Sequence, residues 1–216
     1  MSTMLQKASA QSFWLPEKTA LLYLYMTISP NSTIKACRRQ RRPRVLINKG
    51  VGREGLDSPC LICNMSEEAV YVHFILLILE TSDEPILVPV TDCEVDAMGE
   101  DTSMLSARTR QGPVQSGKYL ELLSYRLLLE RAASVGGIEL KNGKPVNTDI
   151  ELRALEFHVV CMYGSDDQPF GAVRRFEFKT SESGDLSLVP DSIDTIHKTS
   201  AQYRRQIRQW LKRYST

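Results

Sequence analysis

The tightest constraint on this fold lies between residues 150 and 190. In ELRALEFHVVCMY the apolar residues Leu155, Phe157, Val159 and Cys161 alternate with Glu156 and His158. A period of two puts the first set on one face and the second on the other, which predicts a half-buried strand. GSDDQP follows as a turn. VRRFEFK alternates again, with Phe176 and Phe178 inward; SESGD turns the chain once more, and LSLV makes a third short strand. Alternating runs divided by turn residues predict an antiparallel meander.

The rest of the chain supplies what such a meander must pack against. Residues 18–29, KTALLYLYMTIS, are rich in aromatic and β-branched residues, end at Pro30-Asn31, and read as a buried strand. RVLIN is a further short strand, and KGVGREGLDSP reads as a loop. EAVYVHFILLILET has a length and apolarity that fit a strand or a buried helix; its β-branched and aromatic start favours strand. In PILVPV, Pro85 and Pro89 point to a sheet edge, since proline cannot donate to a ladder. Residues 117–135 read as one central helix. Its apolar face runs through Tyr119, Leu122, Leu123 and Leu127, widened by Leu120, Leu128 and Leu129, and Gly136-Gly137 stops it. Asn142-Gly143 is a strong hairpin signal. Near the C-terminus, Tyr203, Ile207, Trp210, Leu211 and Tyr214 form a helical stripe, with Thr199 or Ser200 as its cap. The expected class is therefore α+β: an antiparallel β-sheet packed by a central helix, plus a basic amphipathic C-terminal helix. Residues 1–17 read as a flexible arm. Residues 18–216 read as a single globular domain, interrupted by a mobile acidic and polar loop at 92–116.

Charge is segregated along this nearly neutral chain of net charge +1. From Lys35 to Arg53 there are eight basic residues and no acid, and from Lys198 onward six more, again without an acid. Between Glu80 and Asp101 lie eight acids and no base. Such a distribution permits a bipolar surface. Five cysteines at irregular spacing, with no signal-peptide pattern before them, fit a reducing compartment rather than secretion. The longest apolar run, residues 69–79, is too short to span a bilayer, so any membrane contact is expected to be peripheral.

Catalytic patterns are missing. Cys60 and Cys63 form a C-x-x-C, but His73 and Cys93 stand at spacings that match no standard zinc finger. The glycines make no phosphate loop, and no serine or cysteine sits in a G-x-S-x-G context. The expectation is a non-enzymatic protein without metal or cofactor. The binding candidates are the two basic segments. Arg38, Arg39, Arg41, Arg42 and Arg44 present guanidinium forks suited to phosphate, and such a run also resembles a nuclear import signal. Arg204, Arg205, Arg208, Lys212 and Arg213 form a second basic face, with Trp210 as an apolar anchor if that face meets a membrane or partner.

The arm, the first strand ALLYLYMTISPNS and the late meander closing on SGDLSLVPDSID resemble the matrix proteins of rhabdoviruses, the plant-infecting members in particular. No P-P-x-Y or P-[ST]-A-P budding motif accompanies the resemblance, and the basic C-terminal helix lies outside it. The resemblance implies a structural virion protein, peripheral to the membrane, that self-associates and binds nucleoprotein or RNA and an anionic membrane surface. It implies residence in the nucleus or cytoplasm of a host cell, with an import receptor reading the arginine run. The residues alone also support a nucleic-acid-binding nuclear regulator, such as a viral accessory protein or silencing suppressor.

Overall fold

The computed structural model describes residues 43–51, 55–90, 110–164, 168–180 and 186–214. The chain divides into two compact units, Met1–Arg41 and Arg42–Thr216, and all described residues belong to the second. The arm, the strand expected at 18–29, Arg38, Arg39, Arg41, Arg42 and residues 92–109 of the expected loop lie outside the described residues.

The second unit is α+β and its strand pairings are antiparallel. A small sheet holds β1 (Val45–Lys49), β2 (Pro59–Asn64) and β6 (Tyr119–Ser124) in the order β1-β2-β6. The large sheet runs β11-β10-β9-β3-β4. Its strands are β3 (Val70–Thr81), β4 (Ile86–Pro89), β9 (Leu152–Tyr163), β10 (Phe170–Thr180) and β11 (Leu186–Pro190). Two short strands join it: β5 (Gly112–Val114) on β3 and β12 (Ile196–Lys198) on β10. The meander β9-β10-β11 and the edge position of β4 follow the sequence pattern. So does the hairpin of β7 (Leu140–Lys141) and β8 (Lys144–Pro145), where Asn142 at φ 54° and Gly143 at φ 78° take the left-handed conformations a tight hairpin turn demands.

The large sheet is covered on both faces. One face packs on the small sheet and on helix α1 (Tyr125–Val135), through Leu77, Phe157, Phe176, Ile62 and Leu128 among others. The other face carries Phe74, Leu76, Val160 and Val173 and packs under helix α2 (Ala201–Tyr214). Double burial explains the unbroken apolar run in β3. The register shifts between Val72 and Phe74, so Val70 and Val72 share a face with Ile75, Leu77 and Leu79, while Phe74 and Leu76 turn to α2.

Three expectations are corrected. The central helix does not start at residue 117: Tyr119–Ser124 is a strand paired with β2, and α1 begins only at Tyr125. Ser124 has extended backbone, and its hydroxyl accepts from Leu127 N at 3.4 Å, which caps the helix there. Leu127, expected on the apolar face, is exposed; Tyr125, Leu128, Leu129 and Ala132 face the core instead. His158, expected on a solvated face of β9, is buried because α2 covers that face.

The two sheets are joined by polar groups. β1 uses one edge on β2, and side chains from residues 195–197 complete the other: Val45 N donates to His197 Nε2 at 3.0 Å and Ile47 N to Thr195 Oγ1 at 2.9 Å. Arg174 of β10 is 7% exposed and donates to Ile47 O (2.7 Å), Ser192 O (3.1 Å), Ile193 O (3.0 Å) and Asn48 Oδ1. Among the described residues its acceptors are carbonyl and amide oxygens rather than carboxylates. Arg174→Met is expected to lower the unfolding free energy by about 3 kcal/mol or more, because buried acceptors lose their donor. Arg174→Lys should fall between, since an ammonium cannot reach as many acceptors. Urea unfolding measures both; a Met variant as stable as the wild type would show that the clamp contributes nothing.

Candidate anion-binding surface

Helix α2 is positioned by its apolar stripe. Ser200 caps it, its hydroxyl accepting from Tyr203 N at 3.2 Å. Tyr203, Ile207 and Trp210 are buried on the sheet, and Leu211 and Tyr214 pack partly against the same cluster. Tyr214 stacks on Phe74 with ring centroids 6.2 Å apart. Burying Tyr203, Ile207 and Trp210 stabilises docking by on the order of 5 kcal/mol.

With that stripe facing inward, Arg205, Arg208, Lys212 and Arg213 are left exposed along the outer side of the helix. No acid occurs in α2. Lys212 and Arg213 also lie in its last turn, where cations offset the negative end of the helix dipole. Arg204 is set apart from them: half-buried, it donates through Nε to Pro169 O at 3.1 Å. Trp210 is removed from the expected surface altogether. It is 7% exposed and meets the His158 ring edge-on at 5.0 Å. An indole used in the core cannot also insert into lipid while the helix stays docked. The structure therefore groups Arg205, Arg208, Lys212 and Arg213 as one face and assigns Trp210 to packing.

Arg44 marks the place where the first basic segment meets the fold. It is exposed, its N–H donates to Ser66 Oγ at 2.7 Å, and its carbonyl accepts from Met65 N at 2.8 Å. The next residue, Val45, is held by His197, and β12 leads from His197 through Thr199 and Ser200 into α2. Arg44 thus lies beside the strand that leads into α2. Sequence reasoning missed His197, although its place just before the capping residues of a basic helix was a signal.

Cys60 and Cys63 are three apart on β2, so they project to opposite faces and do not converge. Burial pushes the Cys60 thiol up to about 12, partly offset by the neighbouring Tyr125 hydroxyl, and burial raises Cys63 as well. Among the described residues no three His, Cys, Asp or Glu side chains gather as a metal site, and no helix is long and apolar enough to cross a membrane. An open groove of about 590 Å³ is bordered by Lys144, Asp149, Glu151, Leu152 and Phe178, without a histidine or cysteine among its lining residues. Comparison with family models, with curated proteins and with solved structures returns no match for this chain.

Two outcomes follow from these placements. Trp210→Ala is expected to cost about 3–5 kcal/mol in urea unfolding, as for a buried aromatic; a change near zero would mean that α2 is not docked. Burial holds His197 below its ordinary value of 6.5, as does the nearby Arg44 charge. Its unfolded state therefore binds a proton first, so stability is full above that ordinary value and falls as pH drops through the lowered one. His197→Gln, which keeps an acceptor for Val45 N without titrating, should flatten that fall. An unchanged pH profile would contradict the assignment.

Proposed function

We propose that the chain is a non-enzymatic assembly protein of viral matrix type, which grips a polyanionic nucleoprotein or RNA through the outer face of α2. The observation that carries this reading is that four exposed cations lie along one docked helix without an acid among them. A face fixed by buried side chains presents its charges with little ordering cost on binding. Guanidinium groups suit phosphate because they donate two parallel hydrogen bonds. In this reading an anionic membrane surface is the second partner, the protein self-associates, and it works at the inner side of a virion membrane and in the host cell nucleus or cytoplasm. With α2 docked, contact with lipid is electrostatic and is screened by salt.

The burial of Trp210 also favours a second reading, a nucleic-acid-binding nuclear regulator, because the apolar anchor for a membrane is engaged in the core. RNA binding is common to both readings; binding to anionic vesicles at low salt separates them.

The test is a variant in which Arg205, Arg208, Lys212 and Arg213 are all changed to Gln. Each neutralised phosphate contributes about 0.7 to the salt slope for a single strand, so losing four contacts should reduce the slope of log Kd against log salt by about 3. Affinity for single-stranded RNA at about 0.1 M salt should fall at least about tenfold, with the fold intact by circular dichroism. Unchanged affinity and slope would refute the role of this face.

A further inference from the structure

The end of the large sheet beyond α2 carries a row of exposed apolar side chains. Tyr71 of β3 pairs with Met162 of β9 on one side and with Pro113 of β5 on the other. All three are exposed, Tyr71 by 43%. Met162 shares the parity of Val160, which packs under α2, so the row continues the face that the helix covers. His73, at the bulge, sets its ring 6.3 Å from that of Tyr71 at a tilt of 42°. Phe74 follows it and is stacked on by Tyr214. A band of rings therefore runs from beneath the last turn of α2 out to the open end of the sheet.

The helix brings cations to the side of this row. Arg204 donates to Pro169 O, and the pairing of Phe170 with Cys161 places Pro169 level with Met162. That side of α2 thus faces the row. Arg208, exposed and four residues on, lies on the same side one turn further. Past Met162 the Glu68 carboxylate lies against Gly164, so negative charge bounds the row at that end. A helix with its side chains is about 10 Å across, so the row is recessed beside α2 rather than level with its outer side.

We propose that this row is a base-stacking platform, and that the polyanion held by α2 is single-stranded RNA. The inference rests on the reading of α2 as an anion-binding face and names the ligand of that face. Binding a single strand takes cations for the phosphates and an open aromatic face for a base. Arg208 and Lys212 supply the first, and Tyr71, bordered by His73 and Met162, supplies the second. The recess decides between partners. A duplex keeps its bases stacked inside and presents its backbone. A duplex and a planar bilayer both meet the outer side of α2 first, and neither uses Tyr71. A single strand is narrow and its bases can splay out, so its phosphates follow the helix while a base turns down onto the Tyr71 ring.

The experiment measures binding of the full chain to three probes. They are a single-stranded RNA of about 12 nucleotides, the duplex of the same length, and inorganic polyphosphate, which has the charge without the bases. Tyr71→Ala is expected to weaken binding of the single strand about tenfold and to leave its salt slope unchanged, because a stacking contact is lost and no phosphate contact is. Binding of the duplex and of polyphosphate should not change, and Tyr71→Phe, which keeps the ring, should bind like the wild type. Unchanged affinity for the single strand in Tyr71→Ala overturns the proposal. So does an equal loss for all three probes, which would show that the substitution acts through the fold. Weaker binding to phosphatidylserine vesicles with RNA binding intact would assign the row to a membrane and overturn it as well. A wild type that binds none of the probes overturns both this inference and the reading of the α2 face. RNA binding that falls when Arg205, Arg208, Lys212 and Arg213 become Gln, but not in Tyr71→Ala, removes the stacking platform alone and leaves that reading standing.

Discussion

A guanidinium loses its hydration on burial and must find acceptors inside the protein. Arg174 finds them in Ile47, Asn48, Ser192 and Ile193, on two segments distant in sequence. This requirement ties β10 of the large sheet to β1 of the small one and fixes the segment that leads into β12 and α2. Arg174 also lies over the Phe176 ring at 5.4 Å, so the apolar core supports the cation from below. The outer edge of β1 is closed by the same segment, through Thr195 and His197. An edge whose N–H groups are satisfied by side chains does not recruit another strand.

That clamp sets the stage for α2. The segment it fixes ends at Ser200, and the helix capped there is laid across the second face of the large sheet. A different ion network closes that face at one end: Arg175 bridges Glu80 and Glu177, so charged groups rather than apolar ones border the region next to Glu156. The consequence for function is a division of labour within one helix. Aromatic and aliphatic residues are committed to the sheet, and cations are committed to solvent. A surface of this kind presents its cations on a backbone that is already ordered.

Much of this was legible in the sequence, and the reasons for the remainder are local. The alternation in residues 150–190 gave the meander, Asn142-Gly143 the hairpin, and the spacing of Tyr203, Ile207 and Trp210 the helix with its buried stripe. The strand in residues 119–124 was hidden because a short run such as YLELLS fits a period of two or of 3.6, and only pairing with β2 decides. The run in β3 carried no periodicity because both of its faces are buried and a bulge near His73 shifts them. His158 departs from the pattern because alternation ordinarily marks one wet face, and here α2 covers that face. Arg174 had a visible signal: it shares the parity of Phe176 and Phe178, so the pattern that turned those rings inward also turned the arginine inward.

The basic face exists only while α2 is docked with its aromatic stripe inward. Acrylamide quenching of Trp210 in a Trp14→Phe chain at neutral pH tests this directly. A buried indole 7% exposed should be nearly inaccessible to the quencher, with emission shifted to the blue, and should become accessible only on unfolding in urea. Quenching in native buffer as efficient as that of a free indole would contradict the account, because the helix would then be undocked and its basic residues would not form a fixed face.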